Sequence, residues 1–114
     1  MVSSTLKRAK ETTEILSSIT NVELKFEDQL QEYNNGVLAG LSRDEARVLY
    51  PLPIEGRPPH QAIAEGESEL EFRFRAETIF LKILEDHKEV NRIALVSHGG
   101  MINNLLRSFC PYLS

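Results

Sequence analysis

The sequence predicts an α/β fold in which helices cover a sheet, and three observations carry that expectation. Residues 5–17 and 68–85 repeat apolar side chains at helical spacing. VELKF (22–26) and RIALVS (92–97) are short runs with strand character. Along the chain each strand run stands between helical segments, as helix, strand, helix, with no internal repeat.

In the first segment Leu6, Ala9, Thr13 and Leu16 share one face and Ser4 precedes them as a cap, which predicts a helix from about Thr5 to Ser17. VELKF sets Val22, Leu24 and Phe26 against Glu23 and Lys25, the period-two pattern of a short, half-buried strand. Ser42 and Glu45 form a capping-box pair that opens a short helix through Leu49, and Pro51 ends it. PLPIEGRPP, 51 to 59, is dense in proline and reads as an exposed loop. From Ser68 onward Phe72, Ala76, Ile79, Phe80, Ile83 and Leu84 make one apolar stripe. Glu71, Arg75, Glu77, Lys82 and Glu85 lie largely off it, so a long amphipathic helix is expected. RIALVS is too brief for a helix and is continuously apolar, like a strand covered on both faces. After Gly99 and Gly100, MINNLLRSF reads as a final helix.

The 114 residues suffice for one domain, and 41% hydrophobic with 26% charged residues is an ordinary soluble composition. A net charge of −4 with interspersed signs leaves no basic stripe for a nucleic-acid backbone, so no nucleic-acid partner is expected. Cys110 is the single cysteine; it permits no intrachain disulfide and shows no zinc-type spacing. The beginning of the chain lacks an apolar signal core, and no apolar stretch approaches the roughly 20 residues that span a bilayer. A cytoplasmic protein without membrane contact is therefore expected.

LVSHGGMINNLL, 95 to 106, holds the first candidate for chemistry. His98 falls where a strand ends and a helix begins. In open α/β sheets ligands bind beyond the carboxyl ends of strands, and the unpaired N–H groups of a helix start favour an anion such as phosphate. The alternative is a strand-end histidine with a hydrogen-bonded neighbour and no chemical task. Arg8 offers a planar fork of donors matched to phosphate oxygens, and Leu6 and Ala9 beside it lie on the apolar side of its helix. As an isolated residue it reads rather as a solvated surface arginine, like Lys7 and Lys10 beside it. Glu32 lies in LQEYNNGVLAGLS, where Asn34, Asn35, Gly36 and Gly40 signal tight turns. Beside a bound dianion its proton affinity rises, suiting it to protonate a leaving alkoxide. Otherwise it is one exposed acid among seventeen. Glu67 reads as a helix cap or a partner that orients an arginine.

The order of these signals resembles the histidine phosphatase superfamily, the phosphoglycerate-mutase-like fold, over nearly the whole chain. Ser3-Ser4-Thr5-Leu6-Lys7-Arg8-Ala9 is similar to the family's Ser-Ser-Pro-Leu-x-Arg-Ala, with Thr5 in place of proline. Glu32-Tyr33-Asn34-Asn35-Gly36 resembles the segment led by the proton donor. Gly66-Glu67-Ser68 resembles a loop before a long helix, and Val96-Ser97-His98-Gly99-Gly100 resembles the second histidine motif. The resemblance implies a three-layer α/β sandwich, with Glu32 and His98 catalytic, Arg8 and Gly99 binding substrate, no metal and no organic cofactor. It implies a phosphomonoester hydrolase acting on a phosphorylated small molecule through a phosphohistidine.

The nucleophile of that family stands in an Arg-His-Gly motif, and this sequence contains none; its other histidines, His60 and His87, lie in different contexts. The expectation is one N-terminally truncated domain over residues 1–114, lacking the first strand, the first helix and the nucleophile, and inactive alone. Loss of a strand beside 92–97 predicts a strand-paired or swapped homodimer. The competing readings are a non-catalytic module that binds a phosphorylated ligand or a protein, and an α/β interaction domain without chemistry. A phosphoglycerate mutase fits less well, because Tyr33, Asn34 and Asn35 follow Glu32 instead of the basic residue and histidine-tyrosine pair of mutases.

Overall fold

A computed structural model describes residues 1–110. Its contacts divide the chain into two compact units, Met1–Glu32 with Phe74 onward, and Tyr33–Arg73. The elements are β1 (Val2–Ser3), α1 (Lys7–Thr20), β2 (Lys25–Phe26), α2 (Arg43–Leu49), α3 (Glu69–Asp86), β3 (Leu95–Val96) and α4 (Gly99–Phe109). Single 3-10 turns occupy Asp28–Leu30 and Gly36–Leu38. The α/β class expected from the sequence is thus the observed one.

The sheet belongs to the first unit and has the order β2-β1-β3, with both pairings parallel. Val2 stands opposite Lys25 and Leu95, and Ser3 opposite Phe26 and Val96. Backbone bonds extend the pairing past the strand limits: Val2 N–H donates to Ala94 O, Ser4 N–H to Val96 O and Glu27 N–H to Ser3 O. Being central, β1 is buried. Two expectations fail at its neighbours. In VELKF only Lys25 and Phe26 pair, and both are exposed, because β2 is an edge with one partner and Val22 stays in solvent. The Lys10 ammonium lies 5.0 Å from the centre of the exposed Phe26 ring. RIALVS likewise pairs only through Leu95 and Val96, and these are half-buried rather than covered on both faces.

Helix α1 runs from Lys7 to Thr20, three residues beyond its expected end, and Asn21 closes it in the left-handed region at φ 57°. Ala9 and Thr13 are buried, whereas Leu16 on the expected apolar face is 40% exposed. The Thr13 hydroxyl bonds Ala9 O and lies 3.2 Å from Ser3 Oγ, seating the helix on the central strand. The core of this unit is Val2, Ala9, Leu30, Ala76, Ile79, Ile83 and Met101. Burying each large aliphatic side chain contributes about 1.5–3 kcal/mol. On α3 the predicted stripe holds for Phe72, Ala76, Ile79 and Ile83, while Leu84 remains exposed.

In the second unit Ser42 Oγ accepts the Glu45 N–H at 3.1 Å, so the predicted start of α2 forms. Ser68 and Glu71 make a reciprocal capping box at the start of α3, each side chain accepting the other's backbone N–H at 3.0 Å. Of the two roles expected for Glu67, the helix cap therefore falls to Ser68 and Glu71. Glu67 instead accepts the Asn34 N–H at 2.9 Å, and its carbonyl accepts the Tyr33 hydroxyl. Gly36 takes φ 53°, and a Cβ there would lie 2.2 Å from Ala64 O, so only glycine fits this turn. Residues 51–59 contain neither helix nor strand and are largely exposed, as their prolines predict.

Candidate functional site

Because β1 and β3 are adjacent and parallel, the segments leaving their carboxyl ends emerge side by side. Arg8, in the first turn of α1, follows β1, and His98 follows β3 as the extended residue that precedes α4. Arg8 Nε lies 3.2 Å from His98 Nδ1 although 90 positions separate them in sequence. The other ring nitrogen, Nε2, lies 2.8 Å from Ser4 Oγ, which also accepts the Leu6 N–H. A guanidinium carries donors only, so Nδ1 must accept; the neutral ring then carries its proton on Nε2 and donates it to Ser4. Burial holds the His98 pKa below its ordinary value of 6.5 and the Arg8 charge adds to the effect, while Glu32 opposes it.

Glu32 reaches the same place by a different route. Arg75 on α3 donates to the carbonyls of Gln29 at 2.6 Å, Gln31 at 2.8 Å and Glu32 at 3.3 Å, which gathers the segment around one cation. Gln31 Nε2 donates to Thr5 Oγ1, which itself donates to Asp28, tying that segment to the β1–α1 turn. Leu30 is fully buried and its carbonyl accepts the Ser97 hydroxyl. The Glu32 carboxylate is thereby set at the start of α4, accepting the N–H groups of Gly100 at 2.9 Å and Met101 at 3.2 Å. His98 supplies no side-chain cap to that helix, so Glu32 serves it from a distant part of the chain. Glycine at position 100 lets the carboxylate come this close, since a Cβ there would lie 2.5 Å from Glu32 Oε1 and push the side chain back.

Arg8, Thr12, Glu32, Ser97, His98 and Gly99 line one cleft with a volume of about 380 Å³. All four predicted site residues, Arg8, Glu32, His98 and Gly99, are thus brought together. The cleft combines a fixed positive charge, an imidazole, a helix start and a carboxylate, a set suited to an oxyanion and to moving a proton. Among the described residues no three His, Cys, Asp or Glu side chains converge as a metal site needs. His87 has Nδ1 2.8 Å from Ile83 O and shares a cavity with Met1, Lys25 and Arg92, at the amino ends of the strands and so away from this cleft. His60 belongs to the second unit. Sequence reasoning missed two residues here. Ser4 does not cap α1 as expected, since that helix begins at Lys7 with Leu6 at the cap position and no side-chain cap bond, and is instead the partner of His98; Arg75, off the apolar stripe, holds the 29–32 carbonyls, and neither contact has a local signal.

No curated protein matches the chain. Solved structures do, and the chain spans about half of their length. One is a mycobacterial hydrolase, with a TM-score of 0.77, 23% identity, 94% of this chain covered and 56% of the other. A second is YhfR from Bacillus stearothermophilus, with a TM-score of 0.75 and 25% identity over 95% of this chain and 55% of that one. A third is a mycobacterial glucosyl-3-phosphoglycerate phosphatase in complex with inorganic phosphate, at 0.75 and 22%, covering 95% and 56%. These likenesses establish the fold. No helix among the described residues is long and apolar enough to cross a membrane. The model of the histidine phosphatase superfamily, branch 1, matches residues 1–112, and the chain belongs to that family.

Proposed function

We propose that the cleft binds the phosphoryl group of a phosphomonoester and that its residues serve histidine-phosphatase hydrolysis. Arg8 and His98 form the cradle, Gly99 adds a backbone N–H and Glu32 protonates the departing oxygen. The observation that carries this reading is the 3.2 Å approach of Arg8 to His98 at the carboxyl ends of adjacent strands. A neighbour of the same fold has inorganic phosphate bound, which supports phosphate chemistry for this one. A dianion beside Glu32 favours its protonated form by like-charge repulsion, so binding itself readies the acid.

The sequence has three histidines, and only His98 lines the cleft. With His98 in the cradle, attack on phosphorus by a histidine would need a second one in the cleft, so these 114 residues by themselves are proposed to hold a phosphorylated small molecule without turning it over. The test is a phosphate titration followed through the amide signals of Gly99 and Gly100, with p-nitrophenyl phosphate hydrolysis measured in parallel. Saturable shifts without turnover are expected. Unmoved amides at tens of millimolar phosphate would remove the binding role, and turnover that survives Arg8→Ala would remove the cleft from the chemistry.

The partner proposed for β3 is a second copy of the chain. Among the described residues β3 pairs only with β1, and the parallel register aims the Leu95 N–H and C=O away from it. Such an edge accepts another strand. Light scattering should give twice the 12.9 kDa chain mass, and a monomer at all concentrations would rule the pairing out.

A further inference from the structure

The hydrogen bonds around His98 leave its imidazole nothing to give an anion. Nε2–H is committed to Ser4 Oγ at 2.8 Å, on the buried side of the ring. Nδ1 has one lone pair, and it accepts the Arg8 Nε–H at 3.2 Å. In the resting tautomer the ring therefore offers an oxyanion no donor, and it holds the Nε–H that Arg8 would otherwise turn to the anion. Tautomer exchange is no remedy, because moving the proton to Nδ1 would leave Nε2 without a hydrogen, set Nδ1–H against the Arg8 donor, and leave Ser4 to supply the hydroxyl proton instead.

We propose that anion capture in this cleft is coupled to uptake of one proton by His98. Arg8 swings its Nε–H from Nδ1 to an oxygen of the incoming dianion, a solvent proton joins the vacated Nδ1, and the resulting imidazolium donates to a second oxygen. Nε2–H stays on Ser4 throughout, so Ser4 is the positioning residue that keeps Nδ1 aimed at the cleft. Arg8 and the newly protonated His98 then set two positive charges against the two negative charges of the dianion. The groups that face the ring are Arg8 from α1, Ser4 from the β1–α1 turn, Glu32 from the 28–32 segment and the N–H groups at the start of α4. Without anion, burial and Arg8 keep the ring neutral. With anion, the added negative charge reverses the balance. The consequence is a site that releases its ligand as pH rises, even though Arg8 stays charged throughout.

This inference rests on the phosphate-binding reading and is separable from it. Sulfate is the probe, since it remains a dianion across the neutral range and any proton taken up must enter the protein. In protein carrying 15N-labelled histidine at pH 7.5, free His98 should show Nε2 protonated and Nδ1 bare, and saturating sulfate should protonate both. Between the pKa of His98 in the free protein and its higher value in the sulfate complex, sulfate affinity should fall about tenfold per pH unit, the slope of a single coupled proton. The 15N signals of His98 assign the proton to the ring, and Glu32→Gln, which removes the carboxylate that raises the His98 pKa, should lower the pH at which the proton is taken up. If sulfate moves the Gly99 amide while His98 stays neutral, the coupling is wrong and the binding site stands. If no amide moves at tens of millimolar sulfate, both fall.

Discussion

Adjacent glycines at the start of α4 should respond oppositely to the same substitution. Neither Gly99 nor Gly100 has a positive φ, so alanine fits the backbone at both, and helix propensity alone favours it by up to about 1 kcal/mol. At Gly99 a Cβ meets nothing within 4 Å. At Gly100 it would lie 2.5 Å from Glu32 Oε1 and 3.3 Å from Oε2, too close for the carboxylate to remain. The side chain can withdraw, and the cost is the pair of bonds to Gly100 N–H and Met101 N–H. Bonds to a charged group contribute roughly 1.5–3 kcal/mol each when buried, but Glu32 is only half-buried and water can reach the freed donors, so the loss resembles that of a helix cap, about 1–2 kcal/mol. Gly99→Ala should therefore be neutral or stabilising, and Gly100→Ala should be less stable than Gly99→Ala by about 1–2 kcal/mol in urea unfolding. Placed in a Glu32→Ala background, Gly100→Ala should recover the propensity gain. Equal unfolding midpoints for the two single variants would refute the placement of Glu32 on α4.

Further outcomes follow from the same geometry. His98 has a lowered folded-state pKa, so between that value and 6.5 the unfolded chain binds more protons than the folded one. Stability should then rise with pH through that window and level off above 6.5, and His98→Asn should remove that component of the thermal unfolding profile while leaving the carboxylate titrations below it. Arg75→Met removes the cation shared by three carbonyls and should cost about 2–4 kcal/mol in urea unfolding, with faster amide exchange over residues 28–32; an unchanged midpoint would show that the segment holds itself. Ser68→Ala opens one half of the α3 capping box and should cost about 1 kcal/mol, whereas Glu67→Ala should not unwind the start of the helix by circular dichroism.

The helices were legible because each writes its pattern locally. The spacing of Phe72, Ala76, Ile79 and Ile83, the Ser42 and Glu45 pair and the Gly99-Gly100 boundary all act within a turn or two of their own position. The strands were less legible: Val22 and Leu24 have the alternation of a half-buried strand, yet burial depends on what lies across the sheet, and β2 lies at its edge. The site was partly readable for the same reason. Arg8, Glu32, His98 and Gly99 stand at the ends of predicted elements, where a parallel sheet collects them. What the sequence could not convey is who holds whom. Ser4 meets His98 across 94 positions, and Arg75 meets the 29–32 carbonyls across more than 40. Ser68 with Glu71 is a different case, since the spacing of that box is visible in the sequence and was assigned to Glu67 beside it.

Joint action of Arg8 and His98 on one oxyanion is tested most directly by phosphate affinity in wild type, Arg8→Met, His98→Asn and the double variant, with amide shifts recorded alongside. The account predicts that each single change weakens binding, that the double change costs less than the sum of the two, and that the wild-type shifts centre on Gly99. Strictly additive losses, or shifts centred away from Gly99 around the exposed Lys7 and Lys10, would contradict it.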